Sequence, residues 1–299
     1  MPEDPPTHAL ARAFAALASE RPLALWGSSS MEGGLGAEHT PRPVYVHEEL
    51  ANAMNPIPVT NLAYGAQFSG HTTILRGLDS PLVHIPAGYR GGRVKVFVDT
   101  DVPGMWSFTC HGQLSSGASG TLTGTPENQW FFESDGGGAT SGYFTSSWKT
   151  TTETWRHVIW TGKNNIVQRE KVVSDVERLV AAARNPLTDA IVLGQWVTRN
   201  DLDTPEKIAA IHAVNAAQQA AYGKRFLDVQ ALLTSERALL AEPIASLNLH
   251  ERSETRAELD KGIVPTPLRG SDGLHLSGWG NLLVSWALIE KMKELSWMA

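Results

Sequence analysis

Cysteine is nearly missing from this sequence: Cys110 is the single one in 299 residues. That excludes an intramolecular disulfide framework and any cysteine-based metal cluster. No apolar run approaches the roughly 20 residues a membrane span needs, so no membrane partner is expected. Positive charge is scarce as well, 25 Lys and Arg against 31 Asp and Glu, a formal net charge of −6. Such a surface offers a polyanion no electrostatic footing, and no nucleic acid is expected as a partner. His39, His47, His84, His111, His157, His212 and His250 form no metal-spaced cluster. The run Gly33-Gly34-Leu35-Gly36 has neither G-K-[ST] nor G-x-G-x-x-G around it, so it reads as a close turn rather than a phosphate loop. No metal and no cofactor are therefore expected. The opening MPEDPPTHALARAF is acidic and proline-rich where a secretory signal would be basic and then apolar. It predicts a soluble protein, cytoplasmic or virion-associated.

What is present is ordinary globular material, 42% hydrophobic and 19% charged, with an excess of ten Trp over five Tyr. No internal repeat interrupts it. Hydrophobic periodicity divides the chain into three parts. In residues 1–78, a helical pattern over 7–20 precedes the apolar run Leu23-Ala24-Leu25-Trp26, which reads as a buried strand. A helix over 47–54 and a second strand over 59–63 follow. Residues 79–154 change character: Val94, Val96 and Val98 alternate with polar neighbours, and short β-prone runs are separated by Gly, Ser, Asn and Asp. This part reads as a small all-β insertion. Residues 155–299 return to alternation, with strands at 156–162, 190–194 and 225–229. Helices are predicted over 167–184, over 204–222 with Thr204-Pro205-Glu206 as its start, and over 277–295. The stripe Leu282, Leu283, Trp286, Ile289 and Met292 reads as core packing. Between 241 and 276 the sequence reads as irregular. Five apolar strands joined by helices imply an α/β fold, a three-layer α/β/α arrangement with a five-stranded parallel sheet. Ligands on such sheets bind at the carboxyl ends of the strands.

The polar stretches at those ends are Gly27-Ser28-Ser29-Ser30-Met31, Gly65-Ala66-Gln67-Phe68-Ser69-Gly70-His71-Thr72 and Gly162-Lys163-Asn164-Asn165. Ser271-Asp272-Gly273-Leu274-His275-Leu276-Ser277 precedes the last helix. Together they hold a candidate nucleophile, candidate hydrogen-bond donors and an Asp/His pair, a set that suits acyl transfer. A serine hydroxyl needs a base to take its proton, and histidine serves that purpose near neutrality. An Asp three residues before the His reaches its Nδ1 across a tight turn. Backbone N–H groups, a Gly that lets backbone come close and an Asn amide can receive the oxyanion. Taken singly, Ser29 also fits a helix cap, and Asn164 and Asn165 ordinary turn residues. Arg199-Asn200-Asp201 reads as a loop and helix start, and His71 as a surface histidine.

These four blocks, in this order, resemble the SGNH hydrolases, the GDSL-type esterase and lipase superfamily. The resemblance covers residues 22–78 and 155–299. It implies a flavodoxin-like three-layer fold, Ser29 as nucleophile, His275 as base and Asp272 as its partner. It further implies an oxyanion hole from the backbone of Ser29, from Gly70 and from the side chain of Asn164, with Gly65 as the weaker alternative to Gly70. Two positions depart from the pattern: Ser28 stands where the family has Asp, and Asn165 where it has the Asp of G-x-N-D. The first change also occurs in the sialate O-acetylesterase branch, as G-Q-S-N-M. Ser28 and Ser30 are then expected as supporting hydrogen-bonders.

The resemblance implies hydrolysis of short-chain acyl esters, acetyl above all, of carbohydrate or other polar alcohols, and a small-molecule or carbohydrate ester as the partner. In the insertion, Trp106, Trp130, Phe131, Phe132, Tyr143 and Trp148 are more aromatic surface than so short a module needs. Half are expected in its core, and the remainder are available to sugar rings or to the catalytic part. Three other readings fit the same sequence: a lipase with longer-chain preference, a carbohydrate-binding protein on a hydrolase scaffold, and a virion structural protein.

Overall fold

The run Leu23–Gly27 carries apolar side chains toward both faces, so a strand made of it must be covered on both sides. The computed structural model describes residues 21–105 and 108–298. There the run is β1 (Leu23–Gly27), buried along its whole length. The helical pattern over 7–20 and Trp106 lie outside the described residues.

β1 belongs to a five-stranded sheet with β2 (Val59–Asn61), β9 (Arg156–Trp160), β10 (Ala190–Leu193) and β11 (Phe226–Leu227), in the order β2-β1-β9-β10-β11. Every pairing is parallel; Leu23 stands opposite Val59 on one side and Arg156 on the other. The expected sheet is present, with its second to fifth strands shorter than the sequence suggested. Period-two alternation sorts its side chains into two cores. Leu23, Leu25, Val158, Ile191 and Leu193 face one core, closed by α2 (Val46–Met54) and α6 (Gly278–Glu294). Ala24, Trp26, Ile159 and Val192 face the other, closed by α3 (Ser69–Leu75) and α4 (Arg169–Ala181). Of the stripe on α6, Leu283 and Met292 are fully buried and Trp286 and Ile289 lie at the core's edge, while Leu282 is half-buried outside the core cluster. α5 (Pro205–Tyr222) packs on α4 through Ile211 and Val214. The stretch read as irregular between 241 and 276 contains a helix, Ser253–Leu259, and three short 3-10 turns. Its polar sequence, SETRAEL, hides the helix because only Thr255 is buried.

Between β2 and β9 the chain builds a closed, six-stranded antiparallel barrel. Its strands are β3 (Leu82–His84), β4 (Gly92–Asp99), β5 (Thr109–Leu114), β6 (Ser119–Gly124), β7 (Trp130–Ser134) and β8 (Gly142–Ser146). The first strand pairs with the last, Leu82 opposite Tyr143, which leaves no free edge. Alternation puts Val96, Val98, Cys110, Leu114, Leu122, Phe132 and Phe144 inside. Of the aromatic residues singled out in sequence, Trp130 and Phe132 are in the core, Phe131 and Trp148 are half-buried, and Tyr143 is 58% exposed. Phe97, which the alternation places on the same outer surface, is 66% exposed. The barrel interior is continuous with the second core of the sheet.

His71 helps to seat the barrel, and it is not a surface residue. It is fully buried; its Nδ1 accepts the Phe68 N–H at 3.0 Å and its Nε2–H donates to the Pro103 carbonyl at 2.7 Å. Phe108 and Trp130 of the barrel lie against its ring. Loss of water around the imidazole pushes its pKa down to about 4, so it is neutral near pH 7.

Candidate active site

Where β1 ends, the chain turns sharply: Ser28 is buried and extended, and Ser29 opens the short helix α1 (Ser29–Glu32). The turn presents Ser29 at the carboxyl end of the sheet, half-buried. Across from it, the Asp272–His275 turn precedes α6. Asp272 Oδ1 accepts the N–H groups of Leu274 and His275, both at 2.9 Å, which fixes the turn. Its Oδ2 accepts His275 Nδ1–H at 2.6 Å. With Nδ1 donating, Nε2 is the acceptor, and the Ser29 hydroxyl donates to it at 2.7 Å. Three groups from distant parts of the sequence thus form one hydrogen-bonded series. Burial alone would raise the Asp272 carboxyl. The two backbone donors and the imidazole outweigh it and hold the group below the usual carboxylate range.

The turn is braced from both sides. Glu38 accepts the N–H and hydroxyl of Ser271 at 2.6 and 2.7 Å, and this holds its own carboxyl below the usual range. Asn200 donates its side-chain N–H to the Asp272 carbonyl at 3.0 Å and its backbone N–H to that of Gly273 at 3.4 Å. Arg199-Asn200-Asp201 is the loop and helix start that its sequence suggested, a 3-10 turn, but no local pattern announces its contact to backbone so far along the chain. Neighbouring Asp201 forms a buried ion pair with Lys163, the residue before Asn164. The 198–201 loop therefore reaches both the Asp272 turn and the turn after β9.

That second turn depends on Gly162, whose φ of 100° lies in the region that favours glycine; a Cβ there would also strike Val172 at 2.4 Å. It sends the chain into a 3-10 turn over Lys163–Asn165. Asn164 is exposed toward the site, and one of its two amide hydrogens is given to the Gln67 carbonyl at 2.9 Å. The amide is thereby oriented while its second hydrogen stays available. Asn165 turns inward, accepting the Ser69 N–H and donating to the Ser69 hydroxyl, both at 3.1 Å.

A cleft of about 560 Å³ opens over the series, lined by Ser29, Gly33, Gly34, Gly65, Ala66, Asn164 and His275, with Glu32, Leu35, Tyr45, Asp272 and Leu274 completing the walls. Gly65 is on this wall and Gly70 is not. Gly70 sits in the first turn of α3, against Val102 and Lys171, and lines a separate hollow beside the barrel. The helix has already begun at Ser69, which carries Gly70 away from the end of β2. The hydroxyls of Ser28 and Ser30 make no hydrogen bond among the described residues, contrary to the supporting role expected of them.

No family model matches the sequence, and no curated protein is detectably similar to it. Among solved structures, the chain is similar to an inhibited form (monoethylphosphonate) of the psychrotrophic esterase EstA from Pseudoalteromonas sp. The TM-score is 0.44 and the identity 9%, over 92% of this chain and 97% of that one. It is similar also to TesA, with a TM-score of 0.43 and 13% identity over 92% and 99% of the two chains. Among the described residues no group of His, Cys, Asp and Glu has the arrangement of a metal site, and no helix is long and apolar enough to cross a membrane.

Proposed function

We propose that the protein is a serine ester hydrolase of the SGNH type, acting on short-chain acyl esters of polar alcohols. The observation that carries the reading is the unbroken series Asp272–His275–Ser29 facing an open cleft. In this reading the Ser29 hydroxyl attacks the ester carbonyl as His275 Nε2 takes its proton. Asp272 fixes the tautomer and stabilises the imidazolium that forms. The negative charge on the carbonyl oxygen is received by the Ser29 N–H and by the second amide hydrogen of Asn164, and Gly65 lets the substrate come close to the same wall. Collapse of the tetrahedral intermediate returns the proton from His275 to the leaving alcohol and leaves an acyl-Ser29. Water, deprotonated by His275, then releases the acid and regenerates the hydroxyl.

A short acyl group, acetyl first, is supported by the open shape of the cleft, whose larger apolar side chains are Leu35, Tyr45 and Leu274. A carbohydrate alcohol is supported by the barrel's outer surface. There exposed Phe97 lies beside His84 on the neighbouring strand, ring centres 5.3 Å apart, with Tyr143 one strand further on. Flat apolar rings of this kind stack on sugar faces.

The test is hydrolysis of p-nitrophenyl acetate, butyrate and octanoate by wild type and Ser29→Ala. Acetate hydrolysis that falls by at least 10³-fold in the variant is expected, as for the loss of a serine nucleophile. Activity that survives Ser29→Ala overturns the assignment of the nucleophile, and octanoate outrunning acetate replaces the short-chain reading with a lipase.

A further inference from the structure

Glu32 is the last residue of α1, three positions after Ser29, and residues three apart on a helix are surface neighbours with Cβ atoms about 5–6 Å apart. Its side chain lines the cleft and is exposed. Among the described residues its carboxylate makes no hydrogen bond and no ion pair. No lysine or arginine lines the cleft; the ionisable groups on its walls are Glu32, Tyr45, Asp272 and His275. Lys163, though adjacent to Asn164, is buried and spent on Asp201 and the Trp196 carbonyl. Asp272 is committed to His275 and to its own turn. A single uncommitted negative charge therefore stands beside the nucleophile, in a site that otherwise offers a substrate neutral donors.

We propose that Glu32 makes the cleft select its esters by charge, favouring alcohols that carry an ammonium or other cationic donor over neutral ones, and neutral ones over carboxylates. The inference rests on the esterase reading and names the substrate class for the same site. Its size follows from Coulomb's law: at about 7 Å and an effective dielectric near 40, between protein surface and water, one unit of charge alters kcat/KM by about sevenfold. Cationic and anionic esters of equal size then differ by about 50-fold. The preference weakens with salt, since the screening length falls to about 3 Å at 1 M.

Three thioacetates of similar size test this: acetylthiocholine as the cation, 3,3-dimethylbutyl thioacetate as its neutral isostere, and 3-(acetylthio)propanoate as the anion. The released thiol is read with a chromogenic disulfide. Cys110, the chain's single cysteine, is buried and its thiol is pushed up to about 12, so the protein adds no background. In the wild type kcat/KM is expected to fall in the order cation, neutral, anion. Glu32→Gln is expected to shrink each step by about sevenfold, Glu32→Asp to preserve most of both, and 1 M salt to flatten the wild-type series. Steps within twofold of wild type in Glu32→Gln, with hydrolysis continuing, overturn the role of Glu32 and leave the esterase reading intact. A wild type that hydrolyses neither these thioesters nor p-nitrophenyl acetate overturns both.

Discussion

Gly34 offers the sharpest test of how the site is held. Its φ is 49°, and a Cβ built on it would lie 3.0, 3.1 and 3.2 Å from the Cβ, Cδ2 and Cγ atoms of His275. Carbon atoms rest at about 3.5–4.0 Å, so Gly34→Ala must move the imidazole by about half an ångström or distort the loop that carries it. The hydrogen bonds from Ser29 and to Asp272, at 2.7 and 2.6 Å, leave little slack for such a shift. Misplacement by a full ångström costs about 10² in rate, so about a tenfold loss of kcat is expected here. The left-handed backbone adds about 1–2 kcal/mol of destabilisation for any L side chain. Gly88→Ala separates the two effects: Gly88 has φ 77° and nothing within 4 Å of its virtual Cβ. Both variants should lose similar stability in urea, while only Gly34→Ala loses kcat on p-nitrophenyl acetate. A Gly34→Ala enzyme with kcat within twofold of wild type, or a Gly88→Ala enzyme equally impaired in kcat, refutes the argument that this contact positions His275.

Asn200→Ala removes the donor to the Asp272 carbonyl from an exposed position. One hydrogen bond is worth about 0.5–1.5 kcal/mol, so a three- to tenfold fall in kcat with little change in KM or melting temperature is expected; a melting shift with unchanged kcat would make the residue merely structural. Acid should unfold the protein through His71 and His157. Burial holds their pKa values near 4 and near 3 in the folded chain, with the positive charge of Arg76 adding to the effect on His157. Unfolded, each takes up a proton below about 6.5 while the folded chain cannot, so stability present above that pH declines as the pH falls. By pH 4.5 the loss is on the order of 2–3 kcal/mol for each histidine. Urea midpoints at pH 7.5 and 4.5 measure it, and a midpoint that does not move would contradict the burial of both.

The sheet was legible in sequence because runs such as LALWG and AIVL are apolar at successive positions, too short for a buried helix and bounded by breakers such as Pro22 and Gly194, which suits a doubly covered strand. Ser29, Asp272 and His275 were legible because each sits in a short polar block beside a strand or helix whose position the periodicity gives. The choice between Gly65 and Gly70 was harder to read, since it depends on the one-turn question of where α3 starts. The burial of His71 and the contact of Asn200 were missed for a shared reason: their partners, Pro103 and Asp272, lie far along the chain and contribute backbone carbonyls, which no residue type announces. The helix at Ser253–Leu259 escaped because an almost wholly exposed helix has no apolar stripe to betray it.

The pairing of β3 with β8 bears on how the rest of the molecule assembles. Closing a loop costs entropy that grows with its length, and β1 must find β9 across the entire barrel sequence. Once Leu82 stands opposite Tyr143, the chain departs and returns at neighbouring points. The connection between β1 and β9 that must still be closed shrinks to residues 28–82 and 143–155. A barrel that forms first acts on the parallel sheet as a short, stiff linker would, and the sheet pairs as though most of the intervening sequence were absent.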